Sequence, residues 1–97
     1  MDENADPVIR QYREQISDND RALVKALNRR LELVQKIKRY KESRGLEFVD
    51  RSREEWILRD LVRVNGGPLS EDGVRRIFEA IFELTKDEAA RAERDAG

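Results

Sequence analysis

Arg13, Arg30 and Lys41 fall on one stripe of a single amphipathic segment, at places where the surrounding repeat carries aliphatic side chains. Written with alternating steps of four and three, the seam reads Ile9, Arg13, Ile16, Asp20, Leu23, Leu27, Arg30, Val34, Ile37, Lys41. Residues so spaced share one helix face. A polar group at an isolated seam position can do no more than set register and oligomeric state, and Asp20 fits that description. Three cations against one acid do not. A cation taken out of water is strongly unfavourable unless an anion meets it. Further along, Asp50, Arg51, Arg53 and Glu54 open a second amphipathic segment. Thr85 interrupts the apolar face of a third, with Glu88 about one turn beyond. A pocket between helices lined by arginines, a lysine, one glutamate and a hydroxyl suits a small polyanion. Two carboxylates, a hydroxyl and a further oxygen acceptor on one guest would satisfy it.

The elements that must position these groups are helices. Asp6 can cap the first and Pro7 suits its first position. No Pro or Gly then occurs until Gly45, which suits a left-handed C-terminal cap. An uninterrupted helix from Pro7 to about Ser43 would run roughly 55 Å at 1.5 Å per residue. A compact domain of this size has a radius of gyration of only about 13 Å. The helix must therefore bend back or pair with a second chain, and a dimer of paired long helices is expected. After the link Arg44 to Val49, a second helix is expected from an Asp50 cap to about Val64. Its apolar face is Trp56, Ile57, Leu58, Leu61 and Val62, with Trp56 read as core or dimer contact. The run Asn65, Gly66, Gly67, Pro68 breaks it. Ser70 caps a third helix with Glu71 and Asp72 in its first turn and a face of Val74, Ile77, Phe78, Ile81, Phe82 and Thr85. One domain over 1–97 is expected, with residues 1–6 and about 91–97 flexible. Lys25, Arg29, Glu32, Lys36, Arg39 and Glu42 read as a solvated face of paired charges.

Composition narrows the chemistry. Hydrophobic residues make up 38% and charged residues 42% of the 97 positions, a balance that favours long helices with wet faces. There is no Cys, which removes disulfides and thiolate sites, and no His, which removes imidazole bases and most transition-metal sites. Any catalysis must use Arg, Lys, carboxylates and hydroxyls. Lys and Arg total 20 against 21 Asp and Glu, for a net charge of −1. That balance argues against a nucleic-acid partner. No apolar run approaches the ~20 residues of a membrane span, and the opening residues carry no signal-peptide core. A cytoplasmic protein with no membrane association is the expectation.

Three stretches together resemble a known family: REQISDNDRALVKALNRRLELVQKIKRYK, VDRSREEWIL and GPLSEDGVRRIFEAIFE. They are similar to the all-helical AroQ-type chorismate mutases, in particular the branch found free-standing or fused to 3-deoxy-heptulosonate phosphate synthase. The resemblance covers roughly Ile9 to Glu88. It implies an all-α fold of one long and two shorter helices per chain in an intertwined homodimer. It also implies two active sites and cofactor-free rearrangement of chorismate to prephenate in Phe and Tyr biosynthesis. By the same resemblance, Arg30 and Arg13 bind carboxylates, Arg13 reaching in from the partner chain. Lys41 donates to the ether oxygen of the breaking bond. Glu54 accepts from the substrate hydroxyl with Asp50 nearby, Arg53 lines the site, and Thr85 lies close to a substrate carboxylate. A synthase of the first shikimate step is a partner that the resemblance allows.

One position departs from the family's pattern. Four residues beyond Thr85 the family carries Gln or Glu, sharing the ether oxygen with the lysine, and here stands Ala89. Glu88 is adjacent. A slight rotation of the helix would let Glu88 substitute, a water would serve, or Lys41 acts alone. A carboxyl in that role must be protonated, so the rate would fall as pH rises. Other readings on the same fold are isochorismate pyruvate-lyase and 4-amino-4-deoxychorismate mutase. A non-catalytic helical dimerisation module would explain the seam but not the spacing of Lys41, Arg53 and Glu54 across a loop.

Overall fold

The computed structural model describes residues 2–96 and is all-helical, with no strand among them. A short 3-10 turn at Glu3–Ala5 precedes three α-helices: α1, Pro7–Ser43; α2, Arg51–Val64; and α3, Glu71–Ala96. The chain divides between Leu33 and Val34 into two units.

The first unit holds the 3-10 turn and the N-terminal part of α1. Asp6 caps the helix as its type predicts: its Oδ1 accepts the backbone N–H of Val8 at 2.9 Å and of Ile9 at 3.3 Å. Good helix formers and the absence of Gly or Pro carry the helix on. Most of its apolar residues stay open, while Ile9, Leu27 and Leu31 are half-buried. Val8, Tyr12, Ile16, Leu23 and Val24 are all exposed, and no residue anywhere in α1 is fully buried.

The second unit begins with the last turns of α1 and contains α2 and α3, which pack on one another. Gly45, at φ 68°, ends α1 in the expected left-handed cap. The Leu46 N–H reaches back to the Lys41 carbonyl at 2.8 Å and the Gly45 N–H to Glu42 at 3.2 Å. This is the paired hydrogen-bonding pattern of a Schellman ending. Asp50 caps α2 with extended backbone, φ −129° and ψ 100°. Between α2 and α3, Asn65 braces the turn: its Oδ1 accepts the Gly67 N–H at 3.1 Å and its Nδ2 donates to the Leu69 carbonyl at 2.6 Å. Ser70 Oγ accepts the Gly73 N–H at 2.9 Å and starts α3.

The core is small. Among the described residues the buried ones are Leu58 of α2 and a strip of α3 made by Val74, Phe82, Thr85 and Ala89. Phe78 and Phe82 stack edge to face at 6.3 Å. Arg75 adds a polar tie between the helices, 3.8 Å from both Glu55 and Glu71. Trp56, read as core or dimer contact, is half exposed within one chain. Two expectations need adjustment. Ile77, read as part of the inner face, is 46% exposed. The end of α3 lies at Ala96 rather than near Ala90. No Gly or Pro stops it, and Arg91 braces the last turns through Glu88 at 3.5 Å and Asp95 at 3.8 Å. The flexible ends expected at 1–6 and 91–97 include Met1 and Gly97, which lie outside the described residues.

Candidate active site

The second unit gathers most of the sequence-predicted groups. Lys41 lies in the last turn of α1, half-buried, and its Nζ donates to the Phe48 carbonyl at 3.4 Å. An ammonium has three protons to donate, so this one long contact leaves capacity for another acceptor. The Schellman ending fixes the Lys41 backbone, because its carbonyl receives both Leu46 and Arg44.

Asp50 stands at the start of α2 and accepts the Arg53 N–H at 3.1 Å and the Ser52 hydroxyl at 2.7 Å. Its carboxyl is held below the ordinary carboxylate range. The Ser52 bond is the largest cause, the Arg53 N–H adds to it, and the positive charge of Lys41 contributes further. One turn into α2, Glu54 extends toward α3, where its Oε2 lies 3.4 Å from Lys86 Nζ. Lys86 follows Thr85 directly. Thr85 is buried and its Oγ1 donates to the Ile81 carbonyl at 2.7 Å. The end of α1, the start of α2 and the middle of α3 thus each contribute polar groups within one unit.

Arg53, expected to line the site, lies with its guanidinium 4.3 Å from the Trp56 ring centre, on an exposed face of α2. An open notch farther along α2, lined by Trp56, Arg59, Asp60 and Arg63, includes none of the candidate residues. Ala89 shares the buried strip of α3 with Thr85, while Glu88 sits on its flank and pairs with Arg91. A helix turns by about 100° per residue, so neighbours in sequence cannot share a direction.

In the first unit, Arg30 is half-buried and Arg13 is turned to Glu3, Nη2 to Oε2 at 3.0 Å. Arg29 pairs with Glu32 at 3.3 Å, as expected of a solvated face.

Residues 12–89 match the family model of chorismate mutase type II. The chain belongs to that family. Its class is therefore that of an isomerase. The fold agrees: two solved structures of chorismate mutase from Thermus thermophilus are similar, each at 32% sequence identity. Form I superposes with a TM-score of 0.78, covering 79% of this chain and 96% of its own. Form II gives 0.82, covering 86% and 94%. No curated protein sequence matches the chain. All the candidate residues fall inside the stretch that matches chorismate mutase type II.

Two cations of this chorismate mutase-family chain escaped the sequence reading. Lys86 pairs with Glu54 from another helix, a contact that no spacing along one helix could reveal. Lys38 is the other. Its side chain is only 13% exposed, and it pairs with Glu42 at 2.9 Å and with Glu93 of α3. The Lys38 to Glu42 spacing was legible as an i,i+4 pair; the depth of Lys38 was not. Among the described residues no cluster of acids is arranged to hold a metal ion. None of the described helices is long and apolar enough to cross a membrane.

Proposed function

We propose that this protein converts chorismate to prephenate as a homodimer with shared active sites. The observation that carries the reading is the match to chorismate mutase type II over residues 12–89, with Lys41, Asp50, Glu54 and Thr85 supplied by three helices of one unit. The second copy is supported by the exposed seam of α1, where Ile16 is 58%, Leu23 54% and Ile37 53% exposed. Apolar stripes of that extent are normally covered by a partner.

The reaction is a unimolecular rearrangement, so it asks for neither nucleophile nor net proton transfer. Arg30 and the partner subunit's Arg13 grip the two carboxylates and hold the side chain over the ring, which lowers the entropic part of the barrier. Glu54 accepts from the ring hydroxyl, with Asp50 close by. As the C–O bond breaks ahead of C–C formation, negative charge gathers on the ether oxygen. Lys41 is the donor aimed there, and it stabilises the transition state more than the ground state. Because Ala89 takes the inward place on α3 and Glu88 faces Arg91, Lys41 carries that role without a second side chain.

The test is loss of chorismate and appearance of prephenate on incubation with the purified protein, beside light scattering for its mass. Parallel incubations with isochorismate and 4-amino-4-deoxychorismate distinguish the other reactions of this fold. Turnover of one of those in place of chorismate, or a monomer in solution, would overturn the assignment.

A further inference from the structure

Lys38 and Lys41 lie three residues apart on α1 and meet the same loop residue in different ways. Lys38 Nζ is 5.7 Å from the centre of the Phe48 ring, within cation–π range. Lys41 Nζ is at the carbonyl of that same Phe48, at 3.4 Å. Phe48 belongs to the irregular connection between α1 and α2 and is itself half-buried. The ammonium of a lysine whose side chain is only 13% exposed, as in Lys38, needs anions. It has two, Glu42 one turn on and Glu93 from the last turns of α3. Glu93 lies beyond residue 89, where the match to the family ends. Its partner Lys38 stands three residues, about one turn, before Lys41 on α1.

We propose that Lys38 is a positioning residue for Lys41, and that Glu93 locks it in place from the end of α3. The inference rests on the role assigned to Lys41 above. Glu93 holds the Lys38 ammonium, the ammonium holds the Phe48 ring, and the ring sets where the Phe48 carbonyl meets Lys41. Releasing Glu93 leaves Lys38 with one anion, loosens the connection and moves the Lys41 donor off its line. Misplacement by as little as about 1 Å can cost up to ~100-fold in rate.

The experiment compares Glu93→Gln, which keeps the side chain's size at an exposed position, with the parent protein and with the same change in a Lys41→Met background. Amide hydrogen exchange across residues 44–49 is followed in parallel. In the parent background kcat should fall about fivefold with KM changed less than about twofold, as expected when a donor is misaligned but binding is kept. In the Lys41→Met background the change should cost nothing more, because its effect passes through Lys41. Exchange across the connection should quicken, and Lys38→Met should reproduce both effects if it folds; Glu93→Gln decides the matter if it does not. An equal loss with and without Lys41 would reduce the contact to general support and overturn the proposal, as would unchanged exchange. Should the parent protein not turn over chorismate at all, the assigned function fails by itself. The exchange measurement then still decides whether Glu93 and Lys38 hold the connection.

Discussion

Lys86 Nζ and Glu54 Oε2 stand 3.4 Å apart, joining the middle of α3 to the first turns of α2. Neither side chain is more than about a third exposed, at 34% for Lys86 and 28% for Glu54. Partial exposure limits what such a pair adds to stability. Its value lies in direction, since it holds the Glu54 carboxylate in one orientation. Lys86→Met should therefore lower stability by no more than about 1 kcal/mol in urea unfolding. It should raise KM for chorismate several-fold, measured by steady-state kinetics. A larger stability loss with unaltered KM would make the contact purely structural.

Lys41→Ala should remove about 10²–10³ of the rate, the usual loss when one preorganised donor to a developing oxyanion is deleted. The helix should persist, because the C-terminal cap uses the backbone carbonyl of residue 41 and not its side chain. Circular dichroism and turnover on the same sample check both halves.

Arg13→Ala and Arg30→Ala should each be inactive alone. Mixed and allowed to exchange subunits, they should regain part of the activity, because a hybrid dimer holds one site with both arginines intact if Arg13 serves the other chain. Absence of recovery after exchange, with hybrid dimers verified by mass, would remove the shared site.

Asp50 predicts a pH effect whose sign follows from its lowered carboxyl pKa, against an ordinary value of 3.8. A depressed folded-state pKa adds stability above the unfolded value. That contribution is lost as pH falls through the folded one. Asp50→Asn keeps a competent cap but not the charge. Urea midpoints should separate the two proteins at neutral pH and converge below about pH 4. Ser52→Ala, which deletes the largest cause of the shift, should raise the Asp50 pKa in a carboxyl NMR titration.

Glu88→Gln should leave kcat within about threefold of the parent and the pH profile unaltered, as expected for a carboxylate held by a surface partner. A protonated Glu88 donating to substrate would instead give a rate that falls as pH rises, and the Gln variant would flatten it.

Much of the fold was legible because its boundaries are local. Asp6, Gly45, Asp50 and Ser70 each act on backbone groups no more than a few residues away, and all four do what their types and positions predict. The end of α3 was not legible. Polarity after Ala90 reads the same for a fraying tail and for a helix tied by Arg91 and Glu93. The cations of the α1 seam could be picked out from period alone. The inward strip of α3 could not be placed to the residue, and Ala89 rather than Glu88 occupies it.

The sequence by itself determined where the three helices begin, where α1 and α2 end, and which charges break the apolar seam, because capping and periodicity act within a turn or two of the chain. Only the tertiary structure decided that Lys38 is shielded between Glu42 and Glu93 and that Lys86 faces Glu54. The depth of Lys38 and the partner of Lys86 depend on helices meeting from distant parts of the chain. Burial and charge pairing across such meetings are properties of packing in space, which one-dimensional spacing does not encode.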